Sequence, residues 1–119
     1  MSYTNYILET AKNLLAIDSP TGFTHMATEF VRNEFVQLGY NPIVTNKGAV
    51  LVDLGGKNAD NAILLAAHMD TLGGMITEIK GNGRPKITNL GGLSPNKMDK
   101  EVVVHIHNGM LVSYKKEHI

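Results

Sequence analysis

The sequence predicts an α/β fold. Two stretches with helical hydrophobic periodicity open the chain, and residues 62–67 form a run that is apolar at both parities. After Gly73 the helical period gives way to short extended segments set between glycines and asparagines.

Ile7, Ala11, Leu14 and Leu15 share one helical stripe, with Glu9, Lys12 and Asn13 on the other side, so residues 4–16 read as an amphipathic helix. Asp18-Ser19-Pro20-Thr21-Gly22 ends it, because Pro20 disfavours helical backbone at Ser19 and Gly22 tolerates positive φ. A second helix is expected over residues 24–38, burying Ala27, Phe30, Val31, Phe35 and Leu38, with Gly39 as its C-terminal cap. Residues 43–46 and 49–54 flank Lys47-Gly48 and read as a hairpin. The run at 62–67 reads as a strand covered on both faces, as in the middle of an α/β sheet, with His68-Met69-Asp70 at its carboxyl end. Beyond it, residues 75–80, 86–90, 102–107 and 110–114 are strand candidates, and Asn108-Gly109 carries the strongest hairpin signal. The expected division is an α/β part over residues 1–73 and a β-rich part over residues 74–119.

Composition narrows the function classes. At 119 residues and 43% hydrophobic content, the chain can form one core of ordinary size. Lys plus Arg and Asp plus Glu both number 11, so no basic stripe points to nucleic acid. The chain has no Cys, which removes disulfides, thiolate metal sites and cysteine nucleophiles together and suits a cytoplasmic protein. The opening residues contain Glu9 and Lys12 and lack the uninterrupted apolar stretch of a signal peptide, and no run is long enough to span a bilayer. No membrane partner is expected.

Open α/β sheets place ligands outside the carboxyl ends of strands, where the sequence puts His68 and Asp70. An imidazole ligates zinc or cobalt well, and a carboxylate nearby can hold its other ring N–H. A spacing of two on extended chain sets both side chains on one face. The plainer alternative is a core histidine bonded to backbone, with Asp70 capping a turn. His105 and His107 also share a strand face, but Val102, Val104 and Ile106 form the opposite apolar face, which points both histidines to solvent. His25 opens the second helix and His118 lies in a polar terminus. Gly91-Gly92-Leu93-Ser94-Pro95 lacks the strand, helix and lysine of a phosphate loop, and Ser94 lacks a nucleophile elbow.

The ordered segments Asp18-Ser19-Pro20-Thr21-Gly22, Asn46-Lys47-Gly48, Ala66-Ala67-His68-Met69-Asp70-Thr71-Leu72-Gly73-Gly74-Met75 and Ile87-Thr88-Asn89-Leu90-Gly91-Gly92 resemble the tetrahedral-type dinuclear metal aminopeptidases. These include glutamyl and deblocking aminopeptidases, some of them labelled endoglucanase or cellulase. The resemblance implies the start of an αβα-sandwich metallopeptidase domain, interrupted after the His-x-Asp strand by a β-rich, barrel-like dimerisation domain. It implies two divalent ions, zinc or cobalt, a peptide substrate and a homo-oligomer. His68 corresponds to the family's first histidine ligand and Asp70 to its active-site aspartate. Thr71 departs from the glutamate of many relatives. Intact relatives continue further, supplying a bridging aspartate, a glutamate base, more carboxylate ligands and a final histidine, so the chain is expected to be an amino-terminal segment that is inactive alone. A noncatalytic oligomerisation or binding module derived from that family is the competing expectation, and an unrelated α+β domain is a third.

Overall fold

The computed structural model describes the backbone of residues 2–58, 60–92, 102–107 and 110–116, and side-chain surroundings within residues 2–92. The chain divides into two units, one of Met1–Ile17 and His25–Met69, the other of Asp18–Thr24 and Asp70–Ile119. Each is described by itself.

The first unit holds helices α1 (Tyr3–Leu15) and α2 (His25–Gln37) and a small hairpin of β1 (Ile43–Val44) and β2 (Val50–Leu51). Both helices lie within a residue or so of the expected limits. The covered stripe of α1, however, is Tyr6, Thr10 and Leu14, while Ile7 is 62% and Leu15 77% exposed. The amphipathic pattern locates an apolar side without specifying which edge of it is covered. Tyr6 decides the matter, since its phenol donates a 2.8 Å hydrogen bond to Glu34 Oε2 on α2, turning the Tyr6 edge inward.

On α2, Ala27 is fully buried and Phe30, Val31 and Phe35 are half-buried, as expected, whereas Leu38 is exposed. The helix stops in a Schellman arrangement. Gly39, at φ 89°, donates from its N–H to the Val36 carbonyl at 3.0 Å, and the Tyr40 N–H reaches the Phe35 carbonyl at 3.0 Å. The Phe35 and Tyr40 rings meet edge-on at 6.2 Å, the apolar contact that accompanies this cap. Leu38 lies at the point where the chain leaves the helix, which is why the stripe ends before it.

The β1–β2 hairpin pairs Ile43 with Leu51 and Val44 with Val50. Gly48, at φ 81°, allows the turn, in which the Gly48 N–H donates to the Thr45 carbonyl at 2.9 Å. Residues 62–67, by contrast, belong to no strand, and Ile63, Leu64 and Leu65 are 88%, 78% and 82% exposed. The expected doubly covered strand is therefore not formed. A run that is apolar at both parities needs a neighbouring strand and two covering layers, and among the described residues none is provided for it.

The second unit carries a four-stranded antiparallel sheet in the order β4 (Pro85–Leu90), β3 (Gly73–Ile79), β6 (Met110–Lys116), β5 (Val102–His107). All four expected strands are present. Lys80 and Arg84 close the β3–β4 turn, with Gly83 at φ 79° and Asn82 Oδ1 accepting from the Arg84 N–H at 3.1 Å. The register between β3 and β4 shifts between Ile76 and Glu78, and Thr77 donates its hydroxyl to the Lys86 carbonyl at 3.2 Å. His107 lies opposite Met110, so β5 and β6 pair as expected, while the turn residues Asn108 and Gly109 lie outside the described residues. The fold is thus mixed α and β, with two helices and two small antiparallel sheets.

The Tyr6–Glu34 bond has a pH signature. Hydrogen bonding to Glu34, followed by burial, raises the Tyr6 pKa above its ordinary 10.0. A folded-state pKa above the unfolded value gives stability that is present below the unfolded pKa and lost as pH rises through the folded one. The stability difference between wild type and Tyr6→Phe is therefore expected to be constant near neutrality and to shrink above about pH 10, the ordinary tyrosine value. Denaturant midpoints measured across that range check it, and a difference that stays level into strong alkali refutes the assignment.

Candidate functional site

His68 and Asp70 fall on either side of the division between the two units, so the support of each is local. In the first unit, Thr28 on α2 is 5% exposed and its hydroxyl donates to the Gly48 carbonyl at 2.9 Å. The same oxygen lies 3.6 Å from the Met69 sulfur. A hydroxyl has one proton, and a carbonyl is a far better acceptor than a thioether, so the bond belongs to Gly48 and the sulfur rests beside it. One buried threonine thus joins the second helix, the hairpin turn and the residue next to His68. The His68 side chain itself is exposed, not sunk in apolar packing.

In the second unit, Asp70 is half-buried and its Oδ2 accepts a 2.8 Å hydrogen bond from the Thr21 hydroxyl. Next to it, the Thr71 N–H donates to the Ser19 carbonyl at 2.8 Å, and Pro20 and Thr71 form a parallel bridge. The segment that carries Thr21 is a tight turn. The Phe23 N–H reaches the Pro20 carbonyl at 2.7 Å, and Gly22 at φ 90° occupies the third position, where a type II turn requires positive φ. Ser19 and Pro20 are both buried. Residues read in the sequence as a helix stop therefore also serve as the support of Asp70.

His25 begins α2, His105 and His107 hold register positions on β5 opposite Ser113 and Met110, and His118 and Ser94 lie outside the described residues. Sequence reasoning missed Thr21 and Thr28. Thr21 could have been suspected from its place in the 18–22 segment that resembles metal aminopeptidases, but Thr28 is one polar residue beside a buried alanine and carries no such signal.

The sequence profile of the M42 glutamyl aminopeptidases matches residues 48–119, a stretch that includes His68, Asp70 and the whole four-stranded sheet. The chain belongs to the M42 glutamyl aminopeptidase family. It is 34% identical over 94 residues to YhfE of Bacillus subtilis (strain 168), a provisionally named aminopeptidase, covering 79% of this chain and 27% of that protein. It is 33% identical over 91 residues to the glutamyl aminopeptidase of Lactococcus lactis subsp. cremoris (strain MG1363), covering 75% of this chain and 25% of the relative. The chain therefore spans about a quarter of the length of the curated relatives it matches. Family membership removes the unrelated α+β alternative, even though residues 62–67 belong to no strand.

Peptidases of this M42 family are metal-dependent. An exposed imidazole and a carboxylate held by a hydroxyl donor are the right kinds of donor for zinc or cobalt. Among the described residues no group of three or more His, Asp or Glu side chains converges. No helix among the described residues is long and apolar enough to cross a membrane.

Proposed function

We propose that this M42 chain is a segment of a metal-dependent aminopeptidase that hydrolyses amino-terminal residues from peptides. The match over residues 48–119, which takes in His68-Met69-Asp70, carries this reading. In it His68 is a ligand to one of two divalent ions, zinc or cobalt, and Asp70 orients the ligand. Metal at such a site supplies Lewis acidity, which activates a water and polarises a peptide carbonyl. This chain's part is to present an imidazole as a ligand and to keep a carboxylate in one orientation for it. The M42 assignment also favours an α/β catalytic part over residues 1–73, a dimerisation part over residues 74–119, a homo-oligomer and a cytoplasmic location.

A catalytic zinc takes about three protein ligands and keeps one position open. One imidazole with at most one carboxylate falls below that, so the 119-residue chain alone is expected to release no amino acid from a peptide. Mixing it with the remainder of a complete relative and divalent metal is expected to restore release. Both arms are read by the appearance of free amino-terminal residue. Brisk metal-dependent turnover by the isolated chain refutes the first expectation, and a silent mixture in which the two pieces demonstrably associate refutes the placement of His68.

A further inference from the structure

Three contacts of the 18–24 segment converge on Asp70 and its neighbour: the Thr21 hydroxyl on Asp70 Oδ2 at 2.8 Å, the Thr71 N–H on the Ser19 carbonyl at 2.8 Å, and the parallel bridge between Pro20 and Thr71. The latter two fix the backbone beside Asp70, while the first reaches the carboxylate itself. We infer that Thr21 is a positioning residue, whose hydroxyl selects one orientation of the Asp70 carboxylate and so sets up the group that orients His68.

The physical basis is specific to these side chains. A carboxylate on a single methylene can occupy three staggered χ1 wells, and a hydrogen bond to one oxygen favours one of them. Threonine is a good donor for this, because its β-branch restricts χ1 and the hydroxyl is held in place before it meets its acceptor. A bond from a hydroxyl to an ionised carboxylate is also stronger than one between neutral groups. The turn adds rigidity underneath, since Thr21 sits between buried Pro20 and Gly22, whose positive φ and the 2.7 Å bond from the Phe23 N–H to the Pro20 carbonyl close the loop. Partners that orient a metal ligand are worth about 10- to 100-fold in metal affinity when lost. This inference rests on the proposed function for its link to metal, but the clamp on Asp70 can be read without any metal.

The test uses the 119-residue chain with Thr21→Val, which keeps the branched shape and removes the donor, and Thr21→Ser, which keeps the donor. In the metal-free protein, scalar couplings to the Asp70 β-protons are expected to report one χ1 rotamer in wild type and Thr21→Ser, and averaging in Thr21→Val. Exchange of the Thr71 amide is expected to stay slow in all three, showing that the Ser19–Thr71 bond and the turn survive. Cobalt titration, followed through the His68 ring resonances, is expected to show affinity weaker by up to about tenfold in Thr21→Val, below the loss expected on changing Asp70 itself, and recovered in Thr21→Ser. A single Asp70 rotamer in Thr21→Val, or unchanged cobalt affinity beside an averaged rotamer, overturns the positioning role. Rapid Thr71 exchange in Thr21→Val does so too, because Thr21 is then simply holding the turn together. Cobalt uptake that is indifferent to His68→Ala sinks the proposed function instead, and the couplings still decide whether Thr21 clamps Asp70.

Discussion

Replacing His68 with alanine is expected to abolish both the peptide release restored on mixing and the cobalt uptake of the chain alone. The imidazole is the one strong borderline ligand in the His68-Met69-Asp70 segment, and alanine leaves nothing there to bind zinc or cobalt. Because the side chain is exposed, its removal takes away little packing, and a surface substitution of this kind changes stability by about 0.5 kcal/mol or less. A large loss of activity with an intact fold therefore reports ligation and not collapse. Asp70→Asn is expected to behave differently. It keeps the shape and one acceptor oxygen but loses the charge, so metal is expected to bind about 10- to 100-fold more weakly while binding persists. That order, abolition at His68 and weakening at Asp70, is what distinguishes a ligand from the residue that orients it. Equal losses at the two positions, or residual turnover in His68→Ala at the wild-type level, refute the assignment.

The parts of this fold that local chemistry determines were legible in the sequence. Helix limits followed from Pro20 and Gly39, the first hairpin from Gly48, and the β-rich segment from the loss of helical period after Gly73. Each of these depends on residues within a turn of one another. What failed depended on distant partners. The sequence shows that α1 has an apolar side, but only the Tyr6–Glu34 bond, spanning 28 positions, decides which edge is covered. Residues 62–67 carry the composition of an inner strand, yet composition cannot supply the strands and layers that cover one. At the candidate site, His68 and Asp70 were legible as residue types and spacing, helped greatly by resemblance to a family. Their supports were not, since Thr21 lies 49 positions from Asp70 and Thr28 lies 41 from Met69.

The same uncovered run gives the second large expected effect, on association. Burying a leucine or isoleucine side chain is worth about 1.5–3 kcal/mol, so Ile63, Leu64 and Leu65 together leave roughly 5–9 kcal/mol of favourable burial unrealised as an upper bound. A contiguous apolar segment of this exposure draws a second surface onto itself. The isolated chain is therefore expected to self-associate, with an average mass in light scattering that rises with concentration. Ile63→Lys combined with Leu65→Lys removes two of the three side chains and adds two like charges. Each lost burial weakens association by about tenfold to a hundredfold, so the pair is expected to shift the dissociation midpoint by at least two orders of magnitude. Because both residues are exposed already, thermal unfolding of the dilute chain is expected to stay nearly unchanged. If association survives both lysines, the outer face of α1, where Tyr3 is 89% and Leu15 77% exposed, becomes the contact surface instead. A wild-type chain that scatters as a monomer at high concentration shows that neither surface drives assembly, and with it the homo-oligomer loses its physical support in this segment.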